Sequence, residues 1–226
     1  MKLSFGSFKS VLLSFRTFKE DNADDGPATL SLNQIKAIQS KYSDIDSKIV
    51  EQAITVRKFN ESHVCKLLDG YKDFRQKNDW PMRLSPEVLN VKVMKSGAHE
   101  ASKCPETGMP MLIMNCAQVK PDVAYGIDFQ QHAQWLLEEM TIADKTCHER
   151  GIALEVNFKD FTFADLRQFT VDDMSRGVGI FRNFPVKVKR LYISNASTTV
   201  KVGIRTVLML TSKAVRSKVF FVNNSK

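Results

Sequence analysis

From Met174 to Lys226 the chain has no aspartate and no glutamate, yet that stretch holds eleven lysines and arginines. The whole sequence has 33 basic and 25 acidic residues, so the formal charge of +8 is confined to one end. The first 173 residues carry 22 basic against 25 acidic side chains. Without acid nearby in sequence, the basic run is not neutralised by its own neighbours. It points to an anionic partner, either a phospholipid headgroup or a nucleic acid.

Other absences narrow the chemistry. No apolar run nears the roughly 18 residues that a membrane-crossing helix needs. Cys65, Cys104, Cys116 and Cys147 form no CxxC pair and no zinc spacing, the pattern of reduced thiols in the cytosol. His63, His99, His132 and His148 form no HxH or HExxH group, so no metal site is expected. There is no GxxxxGK[ST] loop and no GxSxG elbow. Gly177-Val178-Gly179 lacks the third glycine of a dinucleotide loop and lies within a helical stretch. No cysteine is followed six positions on by arginine, as a phosphate-cradling loop would require. Glu138-Glu139 pairs two carboxylates on a helix, and such a pair reads as a solvated surface. With no catalytic residues and no cofactor in view, the sequence reads as a binding protein and not an enzyme.

What is present suits one domain of ordinary size with a small helical extension. Of 226 residues, 43% are apolar, enough for a sizeable core. Residues 1–19 hold Lys2, Lys9, Arg16 and Lys19 and could form an amphipathic helix. That segment could dock on the domain itself, lie on a membrane surface, or act as a transit-like segment. Glu20 to Pro27 reads as an acidic linker. Thr29 to Trp80 reads as helical: Ser31 and Gln34 have capping-box form, and Asp44 and Asn60 can cap the next two helices. Ile49, Ala53 and Val56, then Val64, Leu67, Leu68 and Tyr71, fall at inward spacings. Ser85-Pro86 reads as a further helix start.

From Pro110 the pattern alternates. Met111–Cys116, Ala153–Phe158, Arg190–Asn195 and Lys218–Val222 read as strands. A long helix capped by Asp128 has Phe129, Ala133, Leu136, Met140, Ala143 and Cys147 inward and stops at Gly151. Another opens at Thr170, with Met174, Val178 and Phe181 inward, and ends at Asn183-Phe184-Pro185. A third covers roughly 199–210. This order predicts an α/β fold with a mostly parallel sheet and crossover helices.

Taken together, these residues resemble the CRAL-TRIO lipid-binding family. Phe184-Pro-Val-Lys-Val-Lys-Arg-Leu-Tyr-Ile-Ser-Asn195 looks like the family segment in which a helix ends at an aromatic-proline pair and a central strand follows. Its form is most similar to the α-tocopherol transfer protein and retinaldehyde-binding protein branch. Gly151-Ile152 with ALEVNF, Thr107-Gly-Met-Pro110 before a strand, and Val50 to Arg75 are similar to other family segments in the same order. Departures exist. Asn157-Phe-Lys-Asp160 replaces an acidic turn, no proline stands in Val207-Leu-Met-Leu210, and Val186 stands where phosphatidylinositol-specific relatives have glutamate. The chain also stops soon after Val222, where relatives usually continue, which reads as truncation or divergence. The resemblance implies three parts: 1–28 as segment and linker, 29–82 as a helical module, and 83–226 as the lipid-binding domain.

The resemblance implies one hydrophobic lipid, such as a tocopherol or retinoid, held in an apolar cavity between the sheet and a mobile helix. By position, Val156, Phe158, Phe161, Phe181, Ile193, Val202 and Leu208 are the wall candidates; ordinary core packing is the competing reading of each. It also implies phosphoinositide binding by Lys187 and Lys189, which match two basic positions after Phe-Pro. Lys213 matches a third, and Lys218 a fourth if one extra residue is allowed. Arg190, Arg205 and Arg216 add charge nearby without a motif match. The expectation is a cytoplasmic monomer, reversibly attached to anionic membrane, with no nucleic-acid partner. A phosphoinositide-binding signalling module without cargo is the alternative. A nucleic-acid binder is a further rival, disfavoured because Phe181, Phe184, Phe220 and Phe221 lie in runs that read as buried, not as exposed stacking platforms.

Overall fold

The computed structural model describes residues 30–222, apart from 121, 145, 163, 164, 166–169 and 210–212. The N-terminal amphipathic segment and the acidic linker lie outside the described residues.

Among the described residues three helices come first: α1 (Leu32–Lys41), α2 (Ser47–Val56) and α3 (Glu61–Lys77). Ser31 caps α1 reciprocally with Gln34; the serine Oγ accepts from the Gln34 N–H, and Gln34 Oε1 accepts from the Ser31 N–H. Asn60 Oδ1 accepts from the His63 N–H and starts α3. The start of α2 differs from expectation. Asp46 caps it by accepting from the Lys48 N–H at 2.9 Å, while Asp44 pairs with Lys72 at 2.7 Å. Ile45 is buried, so the chain turns inward there before the helix begins. Ser85-Pro86 opens only one turn, Pro86–Val88, followed by the short helix α4 (Val91–Lys95).

Among the described residues five strands follow: β1 (His99–Lys103), β2 (Pro110–Asn115), β3 (Ile152–Asn157), β4 (Val188–Ser194) and β5 (Val219–Val222). They lie side by side in sequence order. β1 is antiparallel to β2, and every later pairing is parallel. The connections are α5 (Gly126–Ala143) with the single turn α6 (Cys147–Arg150), α7 (Val171–Asn183), and α8 (Thr198–Leu208) with α9 (Lys213–Arg216). This is the mixed α/β fold with a mostly parallel sheet that the sequence pattern implies.

Several details correct the sequence reading. Asp128 is the third residue of α5 and not its cap; its Oδ2 accepts from the Tyr125 N–H at 3.0 Å. α5 stops at Ala143, which is exposed, so Cys147 belongs to α6, and Leu137 takes a fully buried inward place. Gly151 then ends α6 with φ 74°, a conformation that glycine adopts without strain. Thr170 caps α7 through the reciprocal bonds with Asp173, and Ile180 and Phe184 point into the core. The side chains of Met174 and Val178 lie outside the described residues. Glu138 and Glu139 are not both solvated: Glu139 is exposed and Glu138 is buried. α3 packs over that part of α5. There Glu138 Oε1 accepts from the Tyr71 hydroxyl at 2.8 Å and from Gln134 Nε2 at 2.9 Å, and it forms an ion pair with Arg75. Burial pushes the Glu138 carboxyl up, opposed by the Arg75 charge and the three hydrogen bonds.

The two sheet faces differ. Leu112, Ile152 and Leu154 share one core with α1, α2, α3, α5 and α7, and Val188 and Leu191 pack against it. The opposite face carries a smaller cluster of Cys104, Met109, Met111, Ala153 and Tyr192. Strand alternation therefore assigns even-numbered residues of β2 and β3, and Leu191 and Ile193 of β4, to the helix-bearing face.

Candidate functional site

Strand register places Met114, Val156, Ile193 and Phe221 in one row across β2, β3, β4 and β5. By alternation this row lies on the helix-bearing face, near the carboxyl ends of the parallel strands. Ile193 is buried, and the other three are half-buried. Arg205 of α8 sits over the Phe221 ring, its guanidinium carbon 5.1 Å from the ring centroid. So α8 covers this row at its β5 end. Two of the wall candidates, Val156 and Ile193, are thus direct neighbours. Sequence reasoning did not include Met114 and Phe221, although period-2 alternation in each strand could have found them.

The remaining wall candidates are spread around this row. Phe158 and Phe161 meet edge to face, 5.3 Å between centroids, just past β3, and both are half-buried. Phe158 is fixed there because its N–H donates to the Ser194 carbonyl at 2.9 Å. Phe181 packs partly against the main core. On α8, Leu208 is half-buried, and Val202 is 56% exposed.

Beside the row, the carboxyl ends of the strands are joined by amides. Asn195 Nδ2 donates to Asn157 Oδ1, and Asn157 Nδ2 donates to Asn115 Oδ1, at 2.8 and 2.9 Å. Asn115 Nδ2 donates in turn to the Gly97 carbonyl at 2.7 Å. Asn157 stands where the sequence departs from an acidic turn. The neutral amide donates and accepts at once, which a carboxylate could not.

The four lysines gather at the other end of the sheet. Lys187 immediately precedes β4 and Lys189 is its second residue, Lys218 immediately precedes β5, and Lys213 starts α9, which feeds β5. The strands are parallel, so Lys187, Lys189 and Lys218 sit at their amino ends, and Lys213 lies on the short helix that leads to the amino end of β5. Lys187, Lys189 and Lys213 are exposed, and Lys218 is half-buried. The start of β3 fixes the backbone of Lys187: the Ile152 N–H donates to the Lys187 carbonyl at 2.9 Å. From Lys187 to Ile193 a strand spans roughly 20 Å, so basic rim and apolar row are separate features bridged by α8.

A stretch without acid in sequence is not without acid in space. Arg190 Nη1 donates to Glu106 Oε2 at 2.5 Å and to the Tyr192 hydroxyl at 3.1 Å. Arg176 pairs with Asp173 at 3.2 Å. Both arginines are turned to internal use. On the same face as Arg190, Cys104 Sγ lies 3.3 Å from the Tyr192 hydroxyl. Burial pushes this thiol up, but hydrogen bonds from Thr107 and Tyr192 outweigh it and hold it below its ordinary value. Burial pushes Cys116 up to about 12 and Cys147 up to about 11, so both stay protonated and poorly nucleophilic.

One aromatic expectation needs correcting. Phe184 is buried, and Phe181 and Phe221 are half-buried, but Phe220 is 37% exposed. It lies on edge strand β5 with its ring turned to the second face. There Tyr192 is 5.6 Å away between centroids, and the Arg190 guanidinium lies 5.2 Å from the ring. The scattered histidines also meet: His99 and His132 place their Nδ1 atoms 3.3 Å apart, between β1 and α5.

Among the described residues, no helix is long and apolar enough to cross a membrane. Nor does any group of three or more His, Cys, Asp and Glu side chains among them suit a metal ion.

A protein-family model described as "CRAL/TRIO domain" matches residues 103–226. Among 31 similar chains of solved structures is one titled "Crystal structure of Sfh5". It aligns with a TM-score of 0.56 at 14% identity, covering 98% of this chain and 82% of that one. An identity this low shows a shared fold alone. No curated protein sequence matches the chain.

Proposed function

The chain belongs to the CRAL/TRIO domain family, a family of lipid binders, and on that footing we propose that it carries one hydrophobic lipid and docks on anionic membrane. The observation that carries this reading is the apolar row Met114, Val156, Ile193 and Phe221, which meets the main core at Met114 and is covered by α8 at its Phe221 end. An apolar chain laid along such a row gains roughly 0.8 kcal/mol for each methylene removed from water. No covalent step is required. The wall is proposed as Val156, Phe158, Phe161, Phe181, Ile193, Val202 and Leu208, with Met114 and Phe221 added.

Lys187, Lys189, Lys213 and Lys218 are proposed as the contacts to phosphoinositide headgroups. Each basic side chain near an anionic surface is worth about 1 kcal/mol, so four support reversible docking. The kinship to the tocopherol-transfer branch rests on the Phe184-Pro-Val-Lys-Val-Lys-Arg190 segment, and neither comparison adds to it.

Native mass spectrometry of the purified protein, followed by lipid extraction, tests the carrier reading. A co-purifying hydrophobic ligand supports it. A protein that never acquires lipid, even after incubation with vesicles, overturns it in favour of a membrane module without cargo. Flotation with vesicles tests docking: phosphatidylinositol bisphosphate should raise the bound fraction. Charge reversal of Lys187 and Lys189 should abolish that gain and leave ligand affinity nearly unchanged. Equal binding to neutral and anionic vesicles would sink the docking claim.

A further inference from the structure

His99 and His132 take no part in the reading above, yet folding sets their Nδ1 atoms 3.3 Å apart across 33 positions of sequence. We propose that this pair is a transition-metal site for a divalent ion of the zinc class, held by the two imidazole nitrogens and completed by water. The site does not rest on the lipid reading.

Two elements bring the pair together. His99 opens edge strand β1, and His132 lies on α5, which packs against that strand. The ring centroids are 5.3 Å apart, so nitrogens separated by 3.3 Å lie between the rings and face each other. At that separation both cannot carry a proton, and at least one presents a bare lone pair. His132 is 5% exposed and His99 is half-buried, so the pair is reached from the β1 side.

The separation decides what the pair suits. It is longer than the roughly 2.7–3.2 Å of a good hydrogen bond. Two zinc–nitrogen bonds of about 2.0–2.1 Å set their nitrogens about 3.3–3.4 Å apart at the tetrahedral angle, and about 2.8–3.0 Å apart at an octahedral right angle. The pair therefore matches a tetrahedral edge. A metal sits beside the line joining the nitrogens, so each ring turns by roughly 35° to meet it, within the broad χ2 range of an imidazole. Imidazole also selects the class of ion, because magnesium and calcium take oxygen ligands.

Among the described residues no third His, Cys, Asp or Glu side chain joins the pair, so the remaining positions go to water. Trp135 offers that water a partner. Its ring stacks on His132 with centroids 5.8 Å apart and planes at 19°, and its buried Nε1–H has no acceptor among the described residues. A buried donor left unpaired is costly, and a water carried on the metal would satisfy it. The bound ion would fasten β1, which has β2 as its single neighbouring strand, to α5.

Cobalt(II) is the probe that tests this, because its visible absorption separates tetrahedral from octahedral sites and thiolate from imidazole ligands. Wild type should bind one cobalt with tetrahedral bands and no thiolate charge-transfer band, and zinc(II) should displace it. His99→Asn and His132→Gln should each weaken binding by more than the roughly 10- to 100-fold that loss of an outer-shell partner costs. Trp135→Phe keeps the stack, removes the N–H, and should weaken binding by roughly 10-fold. His63→Gln should change nothing. Zinc at 100 times its Kd should lower the unfolding equilibrium constant of wild type about 100-fold, and magnesium should not. Octahedral or thiolate bands alone would overturn the site, as would tetrahedral bands that survive in both histidine variants or vanish in His63→Gln. If neither histidine variant folds, hydrogen exchange of wild type decides. Zinc should protect the amides around His99 and His132, and protection centred elsewhere would overturn the proposal.

Discussion

Arg75 is fully buried, and its charge is answered by Glu138 on another helix. The guanidinium is also 5.2 Å from the Tyr71 ring centroid and 5.9 Å from the Trp80 ring centroid. Removing one charge of such a pair strands the other in a dry site. Glu138→Gln should therefore cost about 3–5 kcal/mol, read as a lower urea midpoint with an unchanged slope. The sequence could not show this pair, because its members are separated by 63 positions. A carboxylate doublet on a helix looks solvated until the covering helix is known.

The histidine pair gives a second prediction at this scale. Burial, with the neighbouring His132, pushes His99 down to about 3, and burial also lowers His132. As pH falls through about 6.5, the unfolded chain takes up protons on both imidazoles, while in the folded chain His99 holds out to about 3 and His132 protonates below its ordinary value. Stability should therefore drop with acid below about 6.5, by at most about 1.4 kcal/mol per pH unit for each histidine. Urea titrations between neutral and mildly acid pH would show it. His99→Asn with His132→Gln should flatten the slope. A slope unchanged by the double variant would place the effect elsewhere.

Among the elements, the junction of α6 and β3 is the most tightly set. A Cβ on Gly151 would lie 2.4 Å from the Lys187 carbonyl oxygen and 2.6 Å from Lys189 Cγ, at a positive φ. Gly151→Ala should cost about 1–3 kcal/mol. It should also weaken flotation on anionic vesicles, because relief requires moving the very residues that carry Lys187 and Lys189. A melting curve and the flotation assay together separate the two effects. Element boundaries were legible where a cap uses adjacent residues, as at Ser31, Asn60 and Thr170. They were misread where tertiary packing chose the start, as at Asp46 and Tyr125. β1 escaped notice because His99-Glu-Ala-Ser-Lys103 has no apolar alternation. It is an edge strand whose residues are mostly exposed.

At the scale of the whole molecule, the order of strands and helices made the fold class legible. The candidate wall was legible only in part, because a row across four strands is a property of register, which one sequence does not display. The basic end was the plainest signal, and folding revised it. Glu106 and Asp173 reach back to Arg190 and Arg176, and the four lysines collect on one rim. Binding to anionic vesicles should consequently fall steeply as salt rises, since exposed lysines are screened within about 10 Å at 0.1 M salt. Any bound lipid, buried away from ions, should be retained through the same titration. Salt-insensitive flotation would point to apolar insertion as the main force.

The sequential order β1-β2-β3-β4-β5 also has a meaning in time. Each parallel strand pairs with the one made just before it, so the sheet can lengthen in one direction as the chain emerges during synthesis. Among the described elements, α8, α9 and β5 are formed last, with β5 on an edge beside a single neighbouring strand. The edge of the sheet formed last among the described elements is therefore the edge that carries α8 and the β5 end of the apolar row.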